Sequence, residues 1–129
     1  MILLDTHVLV WLANEPAKLS KKASEAIRKA SQETGLAICA ITLWEIACLA
    51  THGRLQITGT VESFVERISS RTVVSPITSK VAALATQFSE DYSQDPCDRL
   101  IGATALAEGM ALVTKDTNIR QCRQIQTIW

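Results

Sequence analysis

The sequence predicts an α/β fold, a three-layer α/β/α sandwich around a mostly parallel central sheet of four to five strands. Three observations point there. Short apolar runs recur within Ile2–Asp5, Leu36–Ala40 and Ala111–Thr114, as strands covered on both faces require. Longer stretches between them carry apolar residues at helical spacing. Strands that alternate with helices imply crossovers, and crossovers imply parallel pairing.

The elements follow in order. Ile2–Asp5 is a short buried strand. His7–Ala13 reads as a short helix. Ser20–Gln32 places Ala23, Ile27 and Ala30 on one face, with Lys21, Lys22, Glu25, Arg28 and Lys29 elsewhere, the pattern of an amphipathic surface helix. Gly35 opens the second strand, Leu36–Ala40. Thr42–Thr51 is a helix ended by Gly53. Val61–Ser69 is a helix with Val61, Phe64, Val65 and Ile68 on one side. Thr72–Ser75 is a β-branched strand before Pro76. Ser79–Ser89 is a helix that faces Val81, Leu84, Ala85 and Phe88 inward. Pro96–Glu108 is the clearest helix, with Pro in its first turn and Gly109 just past its end. Ala111–Thr114 is a strand, Thr117–Arg120 a short helix, and Gln126–Trp129 a final edge strand.

A length of 129 residues fits one domain, and no repeat, low-complexity tract or linker divides it. Hydrophobic residues make up 47% of the chain, enough for a packed core. No apolar run approaches the roughly 20 residues of a membrane span. Met1 leads straight into Ile2-Leu3-Leu4-Asp5 without a basic leader, so no secretory signal is expected. Cys39, Cys48, Cys97 and Cys122 form no CxxC pair, which argues against a zinc ribbon and suits reduced thiols in a cytoplasmic protein.

Thirteen basic residues cancel thirteen acidic ones. Taken evenly, that balance makes no electrostatic claim on nucleic acid or membrane. If four acids are gathered around a metal, nine acids face thirteen bases elsewhere, and the remaining surface is about +4.

In parallel sheets, ligands bind beyond the carboxyl ends of the strands. The acids fall there. Asp5 ends the first strand, and Asp116 follows the strand Ala111–Thr114. Glu45 lies one turn into the helix after Leu36–Ala40, and Asp95 and Asp98 open the helix that precedes the fourth strand. Each has an ordinary structural explanation as well. Thr42 and Glu45 fit a capping box. Asp95 before Pro96 is a good N-cap, Asp98 suits a first turn, Asp116 can cap Thr117–Arg120, and Asp5 can cap the helix at His7. Two features favour a site. Asp5 emerges from a buried apolar run and needs a partner. Two carboxylates 5 Å apart repel by about 3 kcal/mol at an effective dielectric near 20, so four together call for a cation. All-oxygen ligation suits Mg²⁺ or Mn²⁺. Zinc would prefer His and Cys, and His7 and His52 form no HxxxH pair.

Other chemistries lack their residues. No GxxxxGK[ST], GxGxxG or GxSxG occurs. The second position after Asp5 holds His7, not the Asp of a phosphoaspartyl phosphatase. Val73-Val74-Ser75-Pro76 lacks the phosphoacceptor of a receiver domain. Metal-assisted hydrolysis remains.

Four segments in order and at the right spacing carry a resemblance. They are Leu3-Leu4-Asp5-Thr6-His7, Thr42-Leu43-Trp44-Glu45-Ile46, Asp95-Pro96-Cys97-Asp98-Arg99-Leu100-Ile101-Gly102-Ala103-Thr104-Ala105, and Leu112-Val113-Thr114-Lys115-Asp116, with Ile125-Gln126-Thr127-Ile128-Trp129 at the end. The chain resembles, over its whole length, a PIN-domain ribonuclease of the VapC-like toxin type, from toxin–antitoxin pairs. The resemblance implies an acidic quartet of Asp5, Glu45, Asp98 and Asp116, with Thr6, Thr114 and Asn118 supporting it. Two departures stand out. Ser93 occupies a place commonly held by His, and Cys97 one commonly held by Phe.

The resemblance implies Mg²⁺- or Mn²⁺-dependent hydrolysis of RNA by water, leaving 5′-phosphate and 3′-hydroxyl ends. It also implies a homodimer and a cognate antitoxin that blocks the site. Arg99, Lys115 and Arg120 lie near the acids in sequence and can hold flanking phosphates or form part of a solvated face. Trp11 and Trp44 lie on helices beside the site and can face core or partner. A non-catalytic RNA- or protein-binding module on the same fold is the alternative, as is a structural domain with four ordinary caps. Metal binding separates the last from the rest.

Overall fold

The computed structural model describes residues 1–129. Five short strands form one sheet: β1 (Ile2–Leu4), β2 (Leu36–Cys39), β3 (Val73–Ser75), β4 (Leu112–Val113) and β5 (Thr127–Ile128). Their spatial order is β3-β2-β1-β4-β5 and every pairing is parallel. Seven α-helices make the connections: α1 (Thr6–Asn14), α2 (Lys21–Glu33), α3 (Ala40–Thr51), α4 (Val61–Ser69), α5 (Ser79–Ala85), α6 (Pro96–Glu108) and α7 (Thr117–Arg120). A 3₁₀ turn at Pro16–Lys18 links α1 to α2.

The period-two alternation of the strands builds the three layers. Leu3, Ala37 and Leu112 point to one face and pack with Val81, Ala85, Ile101, Ala105 and Ile119 of α5, α6 and α7. Their neighbours Leu4, Ile38 and Val113 point to the other face and pack with Val8, Ala23, Ile27, Ile46 and Phe64 of α1 to α4. Because both faces are covered, the central strands carry no polar residue until they end. Full burial of each such Leu or Ile is worth about 1.5–3 kcal/mol.

Two boundaries differ from the sequence reading by more than one residue. Helix α3 starts at Ala40 rather than Thr42, with Cys39 as its N-cap and no side-chain cap bond. Helix α5 stops at Ala85 rather than running to Ser89. The Thr86 hydroxyl donates to the Ala83 carbonyl, and the Arg99 guanidinium donates to the carbonyls of Ala85, Phe88 and Ser89. Those bonds satisfy the carbonyls that further helix would have used. Helix α6 ends as expected at Gly109, whose φ of 63° is left-handed.

The chain runs from β1 outward to β2 and β3, then returns to the other side of β1 for β4 and β5. The order therefore reverses at β1 and β4, and in such sheets ligands bind beyond the carboxyl ends at that reversal. Asp5 follows β1 directly, and Asp116 caps α7 just after β4. The four cysteines are free, and Cys39 alone of them is buried. No helix is long and apolar enough to cross a membrane.

Candidate active site

Asp5 is the most buried acid, 3% exposed. Its Oδ1 accepts from the Thr6 backbone N–H at 2.8 Å, and its Oδ2 from the Thr114 hydroxyl at 2.7 Å. The Thr114 oxygen in turn accepts from the Asp116 N–H at 3.1 Å. One threonine thus ties the ends of β1 and β4 together. His7 adds a second tie. Its Nε2 accepts from the Lys115 N–H at 3.2 Å, which leaves the ring proton on Nδ1, 3.4 Å from Asp5 Oδ2.

Glu45 comes from α3. Because α3 begins at Ala40, Thr42 lies inside the helix and the capping box does not form. Glu45 Oε1 instead accepts from the Thr6 hydroxyl at 2.6 Å. Having given its one proton to Glu45, Thr6 accepts from the Thr42 hydroxyl at 3.0 Å. A chain Thr42–Thr6–Glu45 therefore links α3 to the start of α1 where the sequence suggested a local cap.

Asp95 and Asp98 divide the start of α6 between them. Asp95 is the N-cap, accepting from the N–H groups of Cys97 at 2.7 Å and Asp98 at 3.4 Å. That frees the Asp98 side chain for another partner. Ser93 donates to Asp98 Oδ2 at 2.6 Å and accepts from the Asp95 N–H at 3.2 Å. Asp116 has two roles, as N-cap of α7 through the Ile119 N–H at 3.0 Å and as a charge within the cluster.

The electrostatics show that the acids share one space. The Asp98 carboxyl is pushed up to about 6, first by burial, against the Ser93 hydrogen bond, and then by the charges of Asp5, Asp95 and Asp116. Glu45 is also pushed up to about 6, first by burial, against the Thr6 hydrogen bond, and then by Asp5, Asp98 and Asp95. Burial and the neighbouring carboxylates raise the Cys97 thiol to about 12, so it stays neutral among them. As arranged, no three His, Cys, Asp or Glu side chains come close enough to chelate an ion together.

The structure thus brings Asp5, Glu45, Asp98 and Asp116 to one edge and places Thr6 and Thr114 against them. Asn118 is exposed, makes no side-chain hydrogen bond, and lines a depression with Asp91 and Tyr92. Arg99 folds back onto three carbonyls and lies 6.0 Å from the Tyr92 ring. Lys115 and Arg120 are exposed. Trp44 is 60% exposed beside Glu45, whereas Trp11 is partly buried against the α1–α4 core. Sequence reasoning missed the hydrogen-bonding roles of Ser93 and Thr42 and the bridging role of His7. The first two carried a signal only as hydroxyls near an acid in sequence.

Gly102 supports the site from behind. The buried Tyr92 hydroxyl donates to the Asp98 carbonyl at 3.0 Å, and a Cβ on Gly102 would collide with that hydroxyl. Gly102→Ala is expected to destabilise the protein by about 1–3 kcal/mol, read by urea denaturation, because Tyr92 must leave its place. Unchanged stability would contradict this packing.

The sequence profile of the PIN domain matches residues 2–124. The chain belongs to the PIN-domain family. This PIN chain is 40% identical over 130 residues to Ribonuclease VapC22 of Mycobacterium tuberculosis (strain ATCC 25618 / H37Rv), an alignment spanning 99% of this chain and 98% of that protein. Among solved structures, VapBC2 from Rickettsia felis bound to a DNA fragment from their promoter matches with a TM-score of 0.75. It is 18% identical and covers 98% of this chain and 97% of that one. DNA-bound VapBC from Salmonella typhimurium matches with a TM-score of 0.72 at 19% identity, again covering 98% and 97%. At such identities the likeness to these structures is one of fold, and the fold is the PIN domain's.

Proposed function

We propose that the chain is a single-domain, toxin-type endoribonuclease that hydrolyses RNA with Mg²⁺ or Mn²⁺ and is held inactive by a cognate antitoxin. The observation that carries this reading is the gathering of four carboxylates from four separate elements at one sheet edge, where burial first and the neighbouring charges second push two of them up to about 6. Four independent caps do not explain that gathering, and Glu45 caps nothing. Kinship with a ribonuclease at 40% identity supports the same reading.

The donors fit a hard divalent cation, being all oxygen. Mg²⁺ keeps several of its waters and binds through one or two carboxylates, so it does not need three of them to chelate it together. Asp5 and Asp98 would hold the ion, with Glu45 and Asp116 joining directly or through water. When bound, such an ion supplies a water of lowered pKa and offsets the charge on the scissile phosphate. The protein's own part is to fix the oxygens in place. Thr6 and Thr114 hold Asp5, Ser93 holds Asp98, and Thr6 holds Glu45. Lys115 and Arg120 are free to meet flanking phosphates. Arg99 is committed to the α5 carbonyls instead.

An antitoxin side chain with a positive charge would pair with the same acids and exclude the ion. The chain is further proposed to be cytoplasmic and to work as a homodimer, which sedimentation checks directly. Purified protein, freed of any partner, is expected to cut total RNA in Mg²⁺ or Mn²⁺ and not in EDTA. Cutting that persists undiminished in EDTA would contradict the metal-dependent mechanism.

A further inference from the structure

We propose that a track of lysines and indoles, leading from Asp5 past Trp11 and Trp129 to a cleft beside Arg120, docks single-stranded RNA. The inference rests on the ribonuclease reading for the nature of the ligand, and adds where the strand lies and how it is gripped.

The track begins at the acids. His7 stands 3.4 Å from Asp5 and packs edge-on against Trp11, ring centroids 4.8 Å apart. Trp11 lies 6.0 Å from Trp129. The ammonium groups of Lys18 and Lys115 sit 5.6 and 5.7 Å from the Trp11 ring, within cation–π range. Trp129 then forms one wall of a cleft of about 430 Å³ that it shares with Lys22, Thr117 and Arg120. That volume is within the roughly 300–1,000 Å³ of ligand clefts. Trp129 belongs to both halves, so the surface is continuous from the carboxylates to Arg120.

Three of the four cations on this track, Lys22, Lys115 and Arg120, are uncommitted, and Lys18 pairs with Glu15. The whole molecule holds one ion pair between a lysine or arginine and a carboxylate, Lys18–Glu15 at 2.8 Å. Lys22, Lys115 and Arg120 are exposed and have no carboxylate within 4.0 Å. Five segments, α1, the 3₁₀ turn, α2, the β4–α7 turn with α7, and β5 with Trp129, each contribute to it.

Aromatic rings interleaved with free cations match a single nucleic-acid strand, whose bases stack while its phosphates pair. A base that stacks on the Trp11 indole displaces the Lys115 head, which then reaches the adjacent phosphate. A duplex hides its base faces and cannot use the rings. An acidic peptide would use the cations and leave the rings idle.

The test measures binding of a short labelled single-stranded RNA by anisotropy, in EDTA, across a range of salt. Lys22→Ala with Arg120→Ala is expected to weaken binding about tenfold. It should also flatten the slope of log affinity against log salt by about 1.4, at roughly 0.7 for each phosphate that loses its cation. Bound RNA should quench tryptophan emission, and Trp11→Leu should weaken binding about tenfold. The double variant is confined to exposed side chains, so it reads the track even if Trp11→Leu unfolds. Unchanged affinity and slope in the double variant would overturn the proposal. So would absence of quenching, equal affinity for duplex RNA, or displacement by poly-glutamate as readily as by RNA. If wild type cuts RNA and the double variant binds it equally well, the track fails and the ribonuclease reading stands. If the track binds RNA and no metal promotes cutting, the reverse holds.

Discussion

Asp98→Asn is expected to lose about a thousandfold or more of RNA cleavage while keeping the fold. A thousandfold corresponds to about 4 kcal/mol of transition-state stabilisation, the scale of removing a charged oxygen from a metal centre. The substitution is nearly isosteric. Ser93 can still donate to the amide oxygen, Asp95 still caps α6, and the Tyr92 bond goes to the Asp98 backbone carbonyl, which is unchanged. Only the negative charge is lost. Initial rates on total RNA in Mn²⁺ measure it, and more than a tenth of wild-type activity in the variant would remove Asp98 from the site.

The same substitution should stabilise the metal-free protein, and the sign depends on pH. The Asp98 carboxyl goes from 3.8 to about 6 on folding, and that of Glu45 from 4.5 to about 6. A carboxyl whose folded value is raised favours the fold while protonated and opposes it once ionised. Stability is therefore lost as pH rises from about 4 to about 6, and the loss is complete above that window. The amide introduced by Asp98→Asn carries no charge and escapes it. After reduction for partial solvent screening, the gain above pH 6 is about 1–2 kcal/mol, or roughly 3–8 °C in melting temperature. Below about pH 4 the two proteins should melt together. Melting in EDTA at both ends of the range checks this. A variant that melts well below wild type above pH 6 would mark Asp98 as a structural cap.

The layers, and the places of Asp5 and Asp116 just beyond β1 and β4, were legible in the sequence because they follow from local pattern. Uncharged runs at Ile2–Leu4, Leu36–Cys39 and Leu112–Val113 define strands buried on two faces, and the first acid after such a strand lies at its carboxyl end. Asp95 and Asp116 also read correctly as caps, since capping is a bond to the next few residues. What the sequence hid depends on how distant loops return. Thr42 and Glu45 look like a capping box, yet an earlier start for α3 turns both toward Thr6, which is 36 and 39 residues away in the chain. Arg99 looks available for phosphate until the end of α5 is seen to need its guanidinium donors. Ser93 reads as a departure from the family pattern, and only the turn between Tyr92 and Pro96 aims its hydroxyl at Asp98.

If Asp5, Glu45, Asp98 and Asp116 form one cation-binding centre, the metal-free protein should take up Mn²⁺ without any RNA present. Calorimetric titration of Mn²⁺ into wild type, beside Asp98→Asn, isolates that property from substrate choice. Wild type is expected to bind saturably in the micromolar to millimolar range, and the variant to lose that binding or weaken it greatly. No binding by wild type, or equal binding by both proteins, would dissolve the shared centre and return the four acids to their separate structural roles.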